Sequence, residues 1–512
     1  MSERLRSFFT RHPLLKDAVL WALPAIALGA VLRLLMLSYL PYAYWGSDSR
    51  SYFGFTDDLL GHGRFSLYDK RRYLYPIFLL GVSILPGAPL RWLPWIQHAI
   101  GLATLVPLAY SVRKTFSAWR LFIIPVTVLY GCMPIVLWYE HELLGDCIFF
   151  SGFVVMCAGW IAWVKQPDPE RAQRLWWCFF AGFAVVILTR TAGRFLWPAV
   201  LGGLAVVGAW RVLRWQHWTA LAALLGITLT IGQDTQGAWL LYASSFSLTR
   251  LDTPLHAEYK TEIADLVQRA RASVDLLGFD KTESMEFLHF PERQTGRPLW
   301  AALGKDDLLR QKIYKDLALE GIRANPWRFL RISIGKIVAS ANPGDFNSER
   351  FLPQYYVEKF EHQYVNDSAE KPDRLRRLFA MRKDETLPPY SEFQHRIAPH
   401  PDSQAAAWMH SYVNAYHACA RLVQGKDTDP DVRWTALAFW LLLATLFSLL
   451  PWTFRTIGIL QIWAATYLVG TFLVGGTSSR YFALVWSAVL LALPVPLDAV
   501  ARLIRRRQGG AS

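Results

Sequence analysis

The chain has 512 residues, of which 53% are hydrophobic, including 23 Trp and 30 Phe. This composition excludes an ordinary soluble protein, because several stretches of about 18–25 residues carry almost no charge and can cross a hydrocarbon core. The net charge of +14 does not indicate a nucleic-acid-binding protein. The basic residues are spread over short segments between apolar stretches, which is typical of cytoplasmic loops in a polytopic membrane protein.

The apolar stretches predict a mainly α-helical fold with about ten membrane spans. The predicted spans lie near residues 18–40, 90–112, 119–138, 144–164, 174–190, 193–212, 218–242, 434–450, 455–474 and 479–500. With this count, both termini and every basic short loop fall on the cytoplasmic side of a bacterial inner membrane. The apolar run 75–87 is too short to span and is interpreted as an interfacial or re-entrant helix on the outer side.

These spans predict three parts of the chain. Residues 1–242 form a transmembrane core whose first outer loop is 41–89. Residues 243–433 form a mostly helical extracytoplasmic domain that would select the acceptor. Residues 434–512 supply the last transmembrane helices. Within the middle part, the stretch 314–338 has helical periodicity, and Asn325-Pro326 is expected to break or bend that helix.

The first outer loop contains the short sequence YWGSDSRSYF at residues 44–53. Ser47 or Asp48 can cap a helix, because both accept hydrogen bonds from free backbone amides at a helix start. An apolar stripe follows, and glycines end the helix. The stripe and the glycines are Tyr52, Phe55, Leu59, Leu60, Gly61 and Gly63. A capping aspartate can also be catalytic, so the two interpretations of Asp48 are not exclusive.

A second acidic segment, WYEHELLGDCIFF at 138–150, falls at the outer end of the third and fourth predicted spans. It contains Glu140, His141, Glu142 and Asp146. Ionisable residues beside hydrocarbon are costly and usually serve function. Two carboxylate-bearing segments on one side predict a general base with a metal, or a base with an orienting group. A solvated loop is the alternative for Glu140 and Glu142.

Cationic residues fall on the same outer side, against the positive-inside trend. They are Lys70, Arg71, Arg72, Arg190, Arg194 and Arg480. Guanidinium groups pair bidentately with phosphate oxygens, so a lipid phosphate is one expected partner. Local carboxylates or lipid headgroups are the other. His98, alone in its span, is expected to be a structural hydrogen-bonding residue.

The order of these features resembles the GT-C superfamily of integral-membrane glycosyltransferases, in the branch of protein O-mannosyltransferases and lipid A aminoarabinose transferases. The resemblance is carried by residues 47–76, 134–150, 188–199 and 478–486. It places Asp48 on the catalytic aspartate of the first outer loop, with Arg50 and Tyr52 after it. It also places Arg71 on the family's basic residue and Asp146 on its second acidic residue. Ser49 replaces the usual glutamate, and Arg72-Tyr73 replace the usual prolines.

The resemblance implies an inverting transfer of a sugar from a polyprenyl-phosphate donor to an acceptor hydroxyl or similar nucleophile at the outer face of the membrane. Asp48 would be the general base. The cations Arg71, Arg190 and Arg480 would stabilise the leaving phosphate. Asp146, with Glu140 or His141, would orient Asp48 or hold a divalent metal. Arg50 and Tyr52 would support the site.

The expected partners are therefore the lipid-linked donor, membrane lipids and a lipid, glycan or protein acceptor, with no nucleic acid. Three other functions remain open. One is an oligosaccharide ligase or polymerase that uses a diphosphate-linked donor and a histidine base. The second is a lipid or sugar transporter, which would show inverted repeats and charges at the bilayer midplane. The third is a non-catalytic scaffold, in which the two acidic segments need not meet.

Overall fold

The computed structural model describes residues 10, 13–46, 49–64, 72–116, 120–230, 238, 241–242, 245–272, 307–340, 348–424, 443–474 and 479–509. These residues are mainly α-helical, as predicted. Clustering of the chain gives two compact units. The first consists of Met1–Ile231, Phe346–Ala464 and Ala483–Ser512, and the second of Gly232–Asp345 and Ala465–Phe482.

The described residues in the first part of the first unit form ten α-helices, several joined by short 3₁₀ turns. They are α1 (Pro13–Tyr39), α2 (Ser49–His62), α3 (Leu74–Ser83), α4 (Pro89–Thr115), α5 (Ile123–Gly131), α6 (Pro134–His141), α7 (Asp146–Val164), α8 (Pro169–Thr189), α9 (Trp197–Val206) and α10 (Trp215–Thr230). Proline is the first residue of four of them, α1, α4, α6 and α8, and the second residue of α9. Proline is tolerated there because the first backbone amides of a helix have no intrahelical acceptor.

Besides short helical segments such as Pro451–Thr453 and Phe454–Gly458, the described residues further along the chain form ten longer helices. They are α11 (Ala257–Ala272), α12 (Asp307–Ala324), α13 (Pro326–Ser340), α14 (Pro353–Glu370), α15 (Pro372–Leu378), α16 (Tyr390–Ile397), α17 (Gln404–Gln424), α18 (Ile459–Val474), α19 (Ser479–Ala492) and α20 (Val495–Gly509). Helices α12 and α13 are separated by Asn325 alone, which confirms the predicted break before Pro326. The predicted region 243–433 is divided, because 245–272 and 307–340 belong to the second unit and 348–424 to the first.

Four helices among the described residues, α1, α4, α7 and α8, are long and apolar enough to cross a membrane. A fifth span results if α5 and α6, which meet at a bend of 47°, are counted together. The other predicted spans fall on helices of 16 residues or fewer, such as α10 and α18, or include residues outside the described set. The predicted interfacial run corresponds to α3, an apolar helix of 10 residues.

Helices α7 and α8 form the centre of the apolar core of the first unit. A Cβ atom on Gly159 would overlap the backbone of Phe179, and one on Gly182 would overlap the backbone of Met156. Small residues at these points let the two backbones approach closely, which is a common means of packing helices in membranes. The close pair gives a rigid support for the polar groups at the start of α7 and the end of α8.

Candidate functional site

The first outer loop is joined to the second acidic segment through the backbone. The Tyr44 amide donates to the carbonyl oxygen of His141 at 2.9 Å, and the Leu143 amide donates to the carbonyl of Tyr44 at 3.0 Å. Tyr44 and Glu142 thereby form a parallel β-bridge. The two segments that carry the predicted acidic residues therefore lie against each other, about a hundred positions apart in sequence, as the sequence predicts.

The bend between α5 and α6 creates a buried acceptor for Arg33 of α1. Met133 has an extended backbone, as expected for a residue before proline, so α5 ends at Gly131 without continuing into α6. Arg33 Nη1 donates to the Gly131 carbonyl at 2.9 Å and to the Gly29 carbonyl at 3.0 Å. The guanidinium therefore supplies a hydrogen bond to the Gly131 carbonyl at the end of α5. This carbonyl would otherwise lack a partner, because no water is present in the hydrocarbon core of a membrane.

The same guanidinium holds Glu140 in a bidentate ion pair. Arg33 Nε donates to Glu140 Oε2 and Arg33 Nη2 to Glu140 Oε1, both at 2.7 Å. His98 Nδ1 lies 2.9 Å from Glu140 Oε2, and His98 Nε2 lies 3.3 Å from Nδ1 of His141. All four side chains are buried. The result is a polar chain of Arg33, Glu140, His98 and His141, and it confirms His98 as a hydrogen-bonding residue.

Space for this chain comes from Gly101 on α4. A Cβ atom at Gly101 would overlap the carboxylate of Glu140. One turn earlier, Gln97 Nε2 donates to the carbonyls of Glu140 and Glu142 at 2.8 and 2.9 Å. Helix α4 therefore fixes both the side chain and the backbone of the acidic segment.

Asp146, the first residue of α7, forms an ion pair with Arg190, which directly follows α8. Both side chains are buried, and the Arg190 guanidinium also lies 5.8 Å from the centre of the Phe149 ring. A carboxylate at a helix start is favoured by the amides and the dipole there. The structure thus brings together two of the predicted site residues as partners of each other.

Tyrosines of the first outer loop line the same region. The Tyr75 hydroxyl donates to Gln97 Oε1 at 2.9 Å, and the Tyr52 ring meets the Tyr75 ring edge-on with centres 5.2 Å apart. Tyr52 is buried in α2. Helix α2 ends at His62, and Gly63 directly after it has a φ of +62°. The predicted apolar helix with a glycine end is confirmed. The predicted cap at Ser47 or Asp48 lies outside the described residues.

Glu142 lies closer to the first outer loop than the sequence indicated. The position of a Cβ on Gly46 would be 3.3 Å from Glu142 Oε1, and Trp138 Nε1 donates to Glu142 Oε2 at 3.2 Å. Burial, together with the Glu142 carboxylate, raises the pKa of Tyr44. Glu142 therefore places a buried carboxyl group beside Gly46, in the loop that precedes Asp48.

Arg50, the second residue of α2, pairs with a carboxylate of helix α14. Arg50 Nε lies 3.0 Å from Asp367 Oδ1 in α14, and Trp45 Nε1 donates to Asp367 Oδ2 at 3.1 Å. Burial raises the pKa of the Asp367 carboxyl, and the guanidinium groups of Arg50 and Arg374 partly oppose that effect. Arg50, a predicted supporting residue, thus forms an ion pair with Asp367.

Some predicted site residues lie outside the described residues. Asp48 and Arg71 are among them, and α19 includes Arg480 but its side chain is not described. In the described part of the chain, no group of three or more His, Cys, Asp or Glu side chains is arranged to hold a metal ion. Glu140 and Asp146 are instead bonded to Arg33 and Arg190.

Three residues of the site, Arg33, Gln97 and Asp367, are not among those predicted from the sequence. Arg33 could have been predicted from the sequence, because an ionisable residue within an apolar span is a candidate functional residue. Gln97 is likewise a polar residue among apolar neighbours. No sequence pattern distinguishes Asp367, because it lies among the many charged residues of an amphipathic stretch.

No known family profile and no curated protein matches the chain. Among solved structures, the chain is similar to the crystal structure of ArnT from Cupriavidus metallidurans bound to undecaprenyl phosphate. The identity is 13%, the TM-score is 0.32, and the match covers 94% of this chain and 79% of that one.

Proposed function

We propose that this protein is an inverting, polyprenyl-phosphate-dependent glycosyltransferase of the GT-C type, with its active site at the outer face of the membrane. The observation that supports it most directly is the pairing of Tyr44 with His141 and Leu143. This pairing places the loop that leads to Asp48 against the buried acidic segment 140–146. A scaffold has no need to join these two segments or to bury Glu140, Glu142 and Asp146, because burying a charge is costly even when it is paired.

In the proposed reaction, Asp48 accepts the proton of an acceptor hydroxyl as its oxygen attacks the anomeric carbon of the donor sugar. The new carbon–oxygen bond forms opposite the bond to the phosphate, which breaks, so the configuration inverts. The polyprenyl phosphate leaves with the bonding electron pair. Proton removal by a positioned carboxylate contributes about 10²–10⁴-fold to such a rate.

The leaving phosphate gains negative charge, which fixed cations stabilise. Arg71, Arg190 and Arg480 are the proposed cations. Of these, Arg190 is held by Asp146, so Asp146 would orient the guanidinium as well as balance its charge. A phosphate that arrives at Arg190 would share it with Asp146.

Glu140 and His141 take a supporting role in this proposal. Both oxygens of Glu140 accept from Arg33, and one also contacts His98, so this carboxylate fixes the bent segment that leads to Asp146. Glu142 is an additional candidate for orienting the acceptor, because it lies beside Gly46. A divalent metal is not part of the proposed mechanism.

The ligase or polymerase alternative is favoured by one observation, the buried contact between His98 and His141, which supplies a histidine pair beside the site. The two functions differ in donor chemistry. Purified protein in lipid nanodiscs is incubated with a panel of polyprenyl-monophosphate and polyprenyl-diphosphate sugars and an outer-membrane lipid and glycan extract. Consumption of a monophosphate donor is expected. Consumption of diphosphate donors alone supports the ligase, and consumption of neither contradicts both.

A further inference from the structure

The carboxylate of Asp367 holds both sides of the short stretch 46–49. It contacts Trp45 through Oδ2 at 3.1 Å and Arg50 through Oδ1 at 3.0 Å. The Asp367 side chain is only 1% exposed, and that of Arg50 is 27% exposed. A buried ion pair that also bonds a neighbouring indole restricts geometry more strongly than a surface pair does.

A second connection joins the middle of α2 to helix α15, which follows α14 in the chain. Asp57 forms ion pairs with Arg374, at 3.4 Å from Nε, and with Arg377. Arg374 also lies 3.7 Å from Asp367 Oδ1, so the two carboxylates and the arginines form one alternating network. A Cβ on Gly61 would lie 2.9 Å from the Arg377 guanidinium, which shows how closely α15 packs on α2.

Helix α14 also contacts the start of the loop. The Tyr356 hydroxyl donates to the Tyr42 carbonyl at 2.7 Å, and Arg50 Nη2 donates to the Gln363 carbonyl at 3.4 Å. Residues of α14 between Tyr356 and Asp367, a length of about three turns, thus contact Tyr42, Trp45 and Arg50. The network and these bonds hold the chain on both sides of residues 47 and 48, through side chains of α14 and α15.

We propose that Asp367 is a positioning residue for the reaction: it fixes Trp45 and Arg50, and so constrains the backbone that carries the base Asp48. This inference rests on the proposed function. Holding a reacting group in place removes conformational freedom before the reaction, and a displacement of about 1 Å can cost about 10²-fold in rate. Asp367 does not touch substrate in this account, so its loss should slow turnover without weakening donor binding.

The test compares Asp367→Asn with wild type, using the polyprenyl-phosphate donor that the wild-type protein consumes. Asp373→Asn is the matched control, because Asp373 is an exposed aspartate of the adjacent α15 that pairs only locally with Arg376. Asp367→Asn is expected to lower kcat about 10- to 100-fold while the donor KM stays within about twofold of wild type. Hydrogen exchange of the peptide 44–57 should rise in this variant, and Asp373→Asn should match wild type in both.

Equal kcat values for Asp367→Asn and Asp373→Asn would overturn the inference, and so would a rise in donor KM at unchanged kcat. Should Asp367→Asn fail to fold, Arg50→Gln tests the pair from its more exposed side. That variant should likewise lower kcat at unchanged KM, and an unchanged kcat overturns the inference. The proposed function is judged separately: it fails when Asp48→Asn retains wild-type turnover, whatever Asp367→Asn does.

Discussion

Arg33 and Glu140, 107 positions apart in the sequence, form a bidentate ion pair inside the helical bundle, with both nitrogen–oxygen distances at 2.7 Å. Each side chain is 2% exposed. The pair depends on the break before Pro134, which turns α6 toward α1 and frees the Gly131 carbonyl for the remaining donor of Arg33. The fold and the candidate site are therefore coupled at this point.

Replacing Arg33 by Met should destabilise the protein strongly. Removal of one partner from a buried ion pair leaves an uncompensated charge and typically costs about 3–5 kcal/mol. The double variant, which also carries Glu140→Gln, should recover part of this lost stability, because no charge of the Arg33–Glu140 pair then remains buried without its partner. Thermal unfolding in detergent, followed by intrinsic fluorescence, measures both variants. A single variant as stable as wild type would contradict the structural role of the pair.

Gly101→Ala should also lower the melting temperature, because the added Cβ overlaps the carboxylate of Glu140. Gly202→Ala on α9 is the matched control, since nothing lies within 4 Å of its Cβ position. In a helix interior, alanine is favoured over glycine by about 1 kcal/mol, so the control should be neutral or stabilising. Equal melting temperatures for the two variants would show that Glu140 is not packed against α4.

The Asp146–Arg190 pair can be separated into structural and functional contributions. Arg190→Gln should reduce both stability and donor affinity, because it deprives Asp146 of its guanidinium partner and the donor phosphate of a cation. The double variant Arg190→Gln with Asp146→Asn should regain stability but not affinity for a polyprenyl phosphate. Recovery of both by the double variant would exclude Arg190 as a phosphate ligand.

Lys165, between α7 and α8, gives a pH-dependent prediction. Its ammonium donates to the carbonyl of Thr115 at 3.1 Å, at the end of α4. Burial, with Arg502 nearby, lowers its pKa to about 8. Between that value and about 10.4, the pKa of lysine in an unfolded chain, the unfolded state binds more protons, so stability rises with pH.

Below about pH 8, Lys165 is protonated in both the folded and the unfolded state, and the folded state bears the full free-energy cost of burying its charge. The stability that deprotonation of Lys165 provides at high pH is therefore lost as the pH falls through that value. Lys165→Met should remove the rise. Melting temperatures of both proteins at pH 7, 8, 9 and 10 provide the measurement. The exposed Lys16, replaced by Met in the same way, is the control. Parallel curves for wild type and Lys165→Met would contradict the prediction.

Much of the fold follows from local sequence. Apolar length identifies α1, α4, α7 and α8 as candidate spans. Proline chemistry predicts the break at Asn325, and it also explains the bend before Pro134, which falls inside the single predicted span 119–138. The glycine end of α2 follows from its pattern as well. These features depend on neighbours within one or two helical turns, and that is why the sequence contains them.

The contacts between side chains within the site could be predicted less well from the sequence. The meeting of the two acidic segments was predicted from their shared side, but Glu140 could have faced a metal, solvent or a cation. Its pairing with Arg33 depends on the 47° bend between α5 and α6, an angle that residue patterns do not give. Asp367 reaches Trp45 across 322 positions, and no local periodicity encodes such a contact. The domain prediction placed 348–424 apart from the loop 42–57 for the same reason.

The most direct test of the proposed activity is donor turnover by wild type, Asp48→Asn and the control Asp58→Asn, all purified in lipid. Asn keeps the shape and most of the capping ability of Asp but cannot accept the acceptor proton. The proposed mechanism predicts that Asp48→Asn binds the polyprenyl-phosphate sugar yet turns it over about 10²- to 10⁴-fold more slowly, while Asp58→Asn behaves as wild type. Wild-type turnover by Asp48→Asn would contradict the mechanism and leave Asp48 as a helix cap.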